Sequence, residues 1–421
     1  MINRLKKLNP QFRNILKISS RLAKKSDYNI YLVGGVVRDL LLNRPVFDLD
    51  IVVEGDAISL VRQLAKRLKI DFRRHHSFGT ATLSYQGHKI DFATARKERY
   101  PHPGSLPKVK PSSLEKDLIR RDFSINAMAI SINKKNYGQL IDFYHGRRDL
   151  KNGLIRILYS ESFFDDSLRI LRAVRFQQRF SFKIETKTYA LMKQAIGAGA
   201  LQWINPHRLR DELILFLDET NPYRYIKRFY LLEKFNFINK RIKLNKKEFN
   251  FFIRAQAAIR FYNKTFSNKD KIKRWSIFLA GILVNLSYRE VIEVTNRFGF
   301  KKDERLIISS IKKDIGKIKK LDRKLKPSVI YKILTGYSRE ALIFFYAYFP
   351  RKKIRSNIIF FLKDLSGQKL KIKGKDLQKM GVESSSFMGK TLKKLFFLKL
   401  DKNLKTKRQE IKEVKKIVKI K

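Results

Sequence analysis

The sequence predicts an α+β fold: a mixed-sheet head followed by an all-helical remainder. Three observations lead there. Strand-like and helical segments alternate from Tyr31 to about residue 158. After Phe163 strand signals nearly vanish and 3.6-residue periodicity dominates. At 421 residues, with 43% apolar side chains including 32 Phe and 17 Tyr, the chain is too long for one core and rich enough to build several. The expected units are 1–158, 159–221, 222–326 and 327–421, with boundaries at Asn221-Pro222 and Lys326-Pro327.

The elements follow in order. Residues 1–25 read as one basic amphipathic helix. Tyr31, Leu32 and Val33 form a short buried strand ending in Gly34-Gly35, and Val36 to Leu42 continue as a helix. Asp48 to Val53 alternate polar and apolar, as a strand does. Ala57, Leu60, Val61, Leu64, Ala65 and Leu68 share one helix face. Thr80–Tyr85 and His88–Phe92 flank Gln86-Gly87 as a β-hairpin. Tyr100 to Ser113, with four Pro, reads as a loop.

Composition narrows the function. The formal net charge of +56 calls for a polyanionic partner, nucleic acid first and an anionic membrane surface second. Residues 301–421 hold 36 Lys+Arg against 11 Asp+Glu, so the basic character is not confined to one short tail. The absence of Cys excludes disulfides and Cys-based zinc sites, and the six His show no metal-ligand spacing. No stretch approaches the ~18 consecutive apolar residues of a membrane span. Met1 to Pro10 carries no apolar signal core. A cytoplasmic protein with no membrane association and no obligate protein partner is expected.

Four constellations carry chemistry. Gly34-Gly35-Val36-Val37-Arg38-Asp39 puts a diglycine bend between a strand and a helix, where backbone N–H groups and Arg38 can receive a phosphate. Asp48 and Asp50, two apart on a strand, aim both carboxylates at one face, as a Mg²⁺ pair on a triphosphate requires. A lone Asp-x-Asp is usually a surface acidic pair; its spacing from the diglycine gives it weight. Asp91 has two readings: a third carboxylate that takes a proton from an attacking hydroxyl, or a structural partner of Arg96 or Arg99. Arg120-Arg121-Asp122-Phe123-Ser124-Ile125-Asn126 suits phosphate and ribose contacts. In Asp165-Asp166-Ser167-Leu168-Arg169, Asp166 and Arg169 are expected about one helical turn apart, with Arg172 and Arg175 at steps of three. Its bland reading is a charged helix with i,i+3 ion pairs. Its sharp reading is base selection, in which a carboxylate accepts from the exocyclic amine of C or A and an Arg donates to the neighbouring ring atom. Uracil and guanine would then leave buried groups unpaired.

Together these elements resemble the class II tRNA nucleotidyltransferase and bacterial poly(A) polymerase family, within the DNA polymerase beta-like superfamily. The likeness runs from about Tyr31 to Leu217 and includes Pro206-His207-Arg208-Leu209-Arg210-Asp211-Glu212-Leu213. It implies a head with a mixed sheet of about five strands and helices on one face, then a helical neck, body and basic tail that grips RNA. It implies that Gly34, Gly35 and Arg38 hold a triphosphate, and that Asp48 and Asp50 ligate Mg²⁺. Arg120, Arg121, Asp122 and Asn126 would form the ribose and phosphate motif. Asp166 and Arg169 would act as an amino-acid template, backed by Arg172 and Arg175. The implied activity is addition of CMP and AMP, or AMP alone, from CTP and ATP to the acceptor arm of tRNA, with release of pyrophosphate. The alternatives are a poly(A) polymerase and an inactive RNA-binding module. One departure stands out: the family usually has Glu where this chain has Asp165.

Overall fold

The computed structural model describes residues 2–266, 272–382 and 385–418. Two compact units emerge: Met1–Phe216 with Leu231–Glu233, and Leu217–Tyr230 with Lys234–Lys421.

The first unit is built on a seven-stranded mixed sheet, wider than the expected five. Its strands are β1 (Asn29–Val33), β2 (Leu49–Glu54), β3 (Phe72–His75), β4 (Thr80–Tyr85), β5 (His88–Thr94), β8 (Ala129–Ser131) and β9 (Leu140–Ile141). They lie in the order β3-β4-β5-β2-β1-β8-β9, and β2 runs parallel to β5. The sequence reading missed the edge strands: β3 is polar and largely exposed, and β9 has two residues, so neither shows alternation. The β4–β5 hairpin turns through Gln86 and Gly87, both with positive φ, as a tight two-residue turn requires.

Both sheet faces are covered, rather than one. Leu49, Ile51 and Val53 of β2 and Ile90 and Phe92 of β5 are buried on the face over which α4 (Ala57–Leu68) packs. On the other face Tyr31, Val33, Val52 and Ala129 form a small core with Leu114 and Leu118 of α5 (Leu114–Ile119). Glu54 fixes the start of α5. Its Oε1 accepts the Leu114 N–H at 2.6 Å while Oε2 accepts the Tyr31 hydroxyl at 3.0 Å.

Three local expectations change. The N-terminal helix is two, α1 (Ile2–Leu5) and α2 (Pro10–Lys25). Asn9 accepts the Gln11 N–H at 2.8 Å, and Pro10 supplies a first helical residue that needs no N–H partner. The proline-rich loop contains β7 (Lys108–Pro111), antiparallel to β6 (Arg96–Arg99); Pro111 lies at the strand end, where it interrupts little. Strand also persists beyond Phe163, since β10 (Leu154–Ile155) pairs in parallel with β11 (Lys183–Ile184).

The second unit is helical wherever regular structure is described, and helices begin at Pro222 and Pro327. Its core is aromatic: Phe251, Phe252, Phe278 and Phe344 are fully buried, with Phe251 and Phe344 4.7 Å apart. Towards the C-terminus Ile372, Leu377, Val382, Leu395 and Val414 make a separate small core. Beside it, Lys399 and Glu410 form a buried ion pair at 2.7 Å. Among the described residues no helix is long and apolar enough to cross a membrane.

Candidate functional site

The site is a cavity of about 500 Å³ in the first unit. Eleven of the residues expected from sequence line it: Gly34, Gly35, Arg38, Asp50, Arg120, Arg121, Asp122, Asn126, Asp166, Arg169 and Arg172. Three others, Asp48, Asp91 and Arg175, do not.

The sheet supplies one wall. Asp50 and Asp91 are register partners across the parallel β2–β5 pair, so they share a face. Asp48 is exposed and sits one residue before the regular strand. Asp50 opens to the cavity but is hemmed in by neighbours. This desolvation, reinforced by Asp91 and Asp48, pushes its carboxyl above the usual range, with Arg121 and Lys89 acting against the shift. Asp91 pairs with neither Arg96 nor Arg99. Its Oδ1 accepts from the Thr82 hydroxyl and its Oδ2 from the Lys89 ammonium, each at 2.5 Å. Among the described residues no cluster of three or more His, Asp or Glu is close enough to hold a metal ion alone.

The diglycine bend lies at the end of β1 and opens α3 (Gly35–Leu41). Gly34 has φ +74° and ψ −131°, a conformation open essentially to glycine alone. A Cβ there would also stand 2.8 Å from Nη1 of Arg121. Arg38 is buried against the rings of Phe176 and Phe180 and donates to Asp39 and, at 2.6 Å, to Oδ1 of Asn126.

A second wall is an arginine network. Asp117, fully buried, takes Arg120 at 2.6 Å and Arg121 at 2.9 Å. Burial alone would raise its pKa; the two guanidinium groups outweigh that and lower it. Glu98 adds a second carboxylate, bonded to Arg96, Arg120 and the Tyr100 hydroxyl. Asp122 accepts from Asn126 and from Nε and Nη2 of Arg172. Its burial is overcome by Arg172, which holds it down to about 2. Arg175 turns away to Glu212 at 3.0 Å.

The Asp165–Arg169 motif is not one continuous helix. Asp166 ends α7 (Ser162–Asp165) in an extended conformation, and α8 (Leu168–Phe180) begins two residues later. The Asp-Asp-Ser run, whose side chains compete for backbone groups, marks the break. Asp166 accepts from Arg208 at 3.1 Å. Arg169 donates to the Tyr159 hydroxyl, the Ser162 hydroxyl and the Arg120 carbonyl.

Sequence reading missed Asp117, Glu98, Tyr100, Phe78 and the role of Phe176, whose ring carries Arg38, Arg172 and Arg175, each 5.4 Å from its centroid. Asp117 was findable, three and four residues before two arginines on a helix. Glu98 and Tyr100 gave no signal, because only the fold brings their strand to Arg120.

Residues 30–156 match the Poly A polymerase head domain. An A-adding tRNA nucleotidyltransferase of Aquifex aeolicus is 36% identical over 87% of this chain and 44% of its own length. The chain spans about half the length of the curated relatives it matches. Solved structures of its own length match throughout. A CCA-adding enzyme in an apo form has TM-score 0.83 and 34% identity, covering 98% of each chain. The Thermotoga maritima CCA-adding enzyme complexed with tRNA has TM-score 0.79 and 32% identity, covering 99% of this chain and 98% of that one. The chain belongs to the tRNA nucleotidyltransferase family that carries the poly(A) polymerase head domain.

Proposed function

We propose that this protein adds nucleotides of the CCA sequence to the 3′ end of tRNA in the cytoplasm, without a nucleic-acid template. The observation that carries this reading is one cavity with Asp50, the Gly34-Gly35 bend and an ordered set of arginines around it. In the reaction the tRNA 3′-oxygen attacks the α-phosphorus of ATP or CTP, the new P–O bond forms, and pyrophosphate leaves.

The backbone at Gly34 and Gly35, with Arg38 and Arg121, would receive the triphosphate. Arg120, Asp122 and Asn126 would meet the ribose and phosphates, and Asp166 and Arg169 the base. The donor set fits Mg²⁺: Asp48 and Asp50 offer hard oxygen ligands, and the Asp50 carboxyl is pushed up by desolvation first and by Asp91 and Asp48 after it, a cost that a cation would relieve. Bound there, the metal supplies activation of the hydroxyl and stabilisation of charge on the departing phosphates. Magnesium keeps several water and phosphate ligands, so a site short of three protein carboxylates suffices. Asp91, whose oxygens each accept one hydrogen bond from Thr82 and Lys89, adds negative charge beside Asp50 and keeps lone pairs for the proton of the attacking hydroxyl. We assign residues 159–221 to a nucleotide-selecting neck, 222–326 to a helical body and 327–421 to the basic tail that holds the acceptor arm through its phosphates.

The test is incubation with tRNA lacking CCA, and separately with tRNA ending in CC, with CTP, ATP or both. Extension of either primer to CCA, and no further, is expected. The name of the matching head domain supports a second reading, poly(A) addition. Long A tails on unstructured RNA, with tRNA left untouched, would establish that reading and overturn the first.

A further inference from the structure

Tyr159 stands between Asp165 and Arg169 and bonds to both. Asp165 makes no direct bond to Arg169 among the contacts described. Its Oδ2 accepts the Tyr159 hydroxyl proton at 2.9 Å, and the same Tyr159 oxygen accepts an N–H from Nη1 of Arg169 at 3.2 Å. The Arg169 guanidinium also sits 5.6 Å from the Tyr159 ring centroid. Neither Tyr159 nor Asp165 lines the cavity, whereas Arg169 does.

We propose that Asp165 and Tyr159 form a positioning relay that sets the plane of Arg169 and thereby the nucleotide selectivity of the site. This rests on the reading of Arg169 as the base-selecting cation.

The direction of the relay follows from proton bookkeeping. Burial pushes the Tyr159 phenol up to about 12, so it keeps its proton at neutral pH. Its one proton goes to Asp165, which leaves its oxygen only as an acceptor towards Arg169. Arg169 has five N–H groups. Nη1 gives its two to Tyr159 and Ser162, and Nη2 gives one to the Arg120 carbonyl. Two remain uncommitted among the described residues and can meet a base. Three acceptors fix a planar fork; without the Tyr159 oxygen only Ser162 and the Arg120 carbonyl hold it, and it is freer to tilt. Tilting lets the guanidinium satisfy a wrong base edge, which is how discrimination is lost.

Tyr159→Phe removes one oxygen and leaves the ring packing in place. The full chain is assayed with a tRNA primer and each of the four nucleotides singly. The ratio of kcat/KM for the preferred nucleotide to that for UTP or GTP is expected to fall about tenfold or more, the worth of a hydrogen bond to a charged group. A structural role alone would lower all four nucleotides together and leave the ratio unmoved. The second measurement is a cycle with Asp165→Ala. That change should blur selectivity in the otherwise unaltered protein and add nothing further in the Tyr159→Phe background. An unchanged ratio in Tyr159→Phe, or full additivity of the two substitutions, overturns the relay while leaving the proposed reaction standing. Absence of any incorporation by the unaltered protein removes both.

Discussion

The two walls of the cavity are built on opposite electrostatic terms. On the sheet side, register places Asp50, which lines the cavity, beside Asp91, with Asp48 just before the strand, and the cations acting on Asp50 do not offset its desolvation. On the second wall the arginines are bound to carboxylates of this chain: Arg120 and Arg121 to Asp117, and Arg172 to Asp122. The first wall is a charge arrangement left unfinished by the protein; in the second, carboxylates hold the arginines while N–H groups such as Nε of Arg121 keep no partner among the described residues. An unfinished acidic corner is a demand for a cation. An arginine wall held by carboxylates is a preorganised set of donors that need not reorient when charge develops. Neither alone makes a nucleotidyl-transfer site.

The largest predicted effect breaks the unfinished wall. Asp50→Asn should lower nucleotide incorporation about 10³-fold or more, since a metal ligand contributes several kcal/mol to such a step. The same change should raise the melting temperature of the metal-free protein. A carboxyl whose folded pKa is raised disfavours its charged form in the fold, so at neutral pH a neutral isostere relieves it. Lost activity with a lowered melting point would mean that Asp50 is satisfied by the protein, against the contrast drawn here.

The complementary break is Asp117→Asn on the arginine wall. It strips a fully buried carboxylate from two arginines, and unfolding free energy should fall by about 3 kcal/mol in urea melts. An unchanged midpoint would show that Glu98 and solvent hold these arginines without it. Gly34→Ala acts where the walls meet. Its backbone conformation costs about 1–3 kcal/mol for any residue with a Cβ, and the new methyl crowds Arg121. Nucleotide KM should rise about tenfold. Gly35→Ala, whose Cβ would sit an ordinary 3.5 Å from Arg38, should do much less. Equal effects at both glycines would remove the backbone argument.

This contrast also explains what the sequence could reveal. The acidic corner was legible in part: Asp50 lies on a strand and a diglycine before a helix is a short-range signal, but Asp48 falls one residue before the strand and does not line the cavity. The arginines were legible as residue types, since adjacent Arg and steps of three are visible in a line of text. Their partners were not. Asp122 meets Arg172, and Glu98 meets Arg120, across 50 and 22 positions of chain. Only the fold, which brings α8 to the segment after α5 and β6 to α5, creates those pairs. The break after Asp165 was hidden for a related reason. The apolar stripe of Leu168, Leu171 and Val174 is periodic, and a helix drawn through it extends naturally back over the acidic pair. The relay through Tyr159 depends on that break.

The smallest effect is a pH dependence, and it sharpens the contrast because the two walls should respond in opposite directions. Asp122 is held at about 2, below its ordinary 3.8, because Arg172 outweighs the cost of burying it. A depressed folded pKa contributes stability that is present above the unfolded value and is lost as pH falls through the folded one. The window is therefore about pH 4 down to pH 2, and the loss is about 2 kcal/mol for that shift. Asp50, raised by desolvation, runs the other way: its charged form costs stability at higher pH, and protonation relieves it. Urea melts at pH 4.5 and pH 2.5 should show a smaller difference in Asp122→Asn than in the unaltered chain. If the two differences are equal, the Arg172–Asp122 pair is not stabilising the charged form of Asp122, and the arginine wall loses its central link.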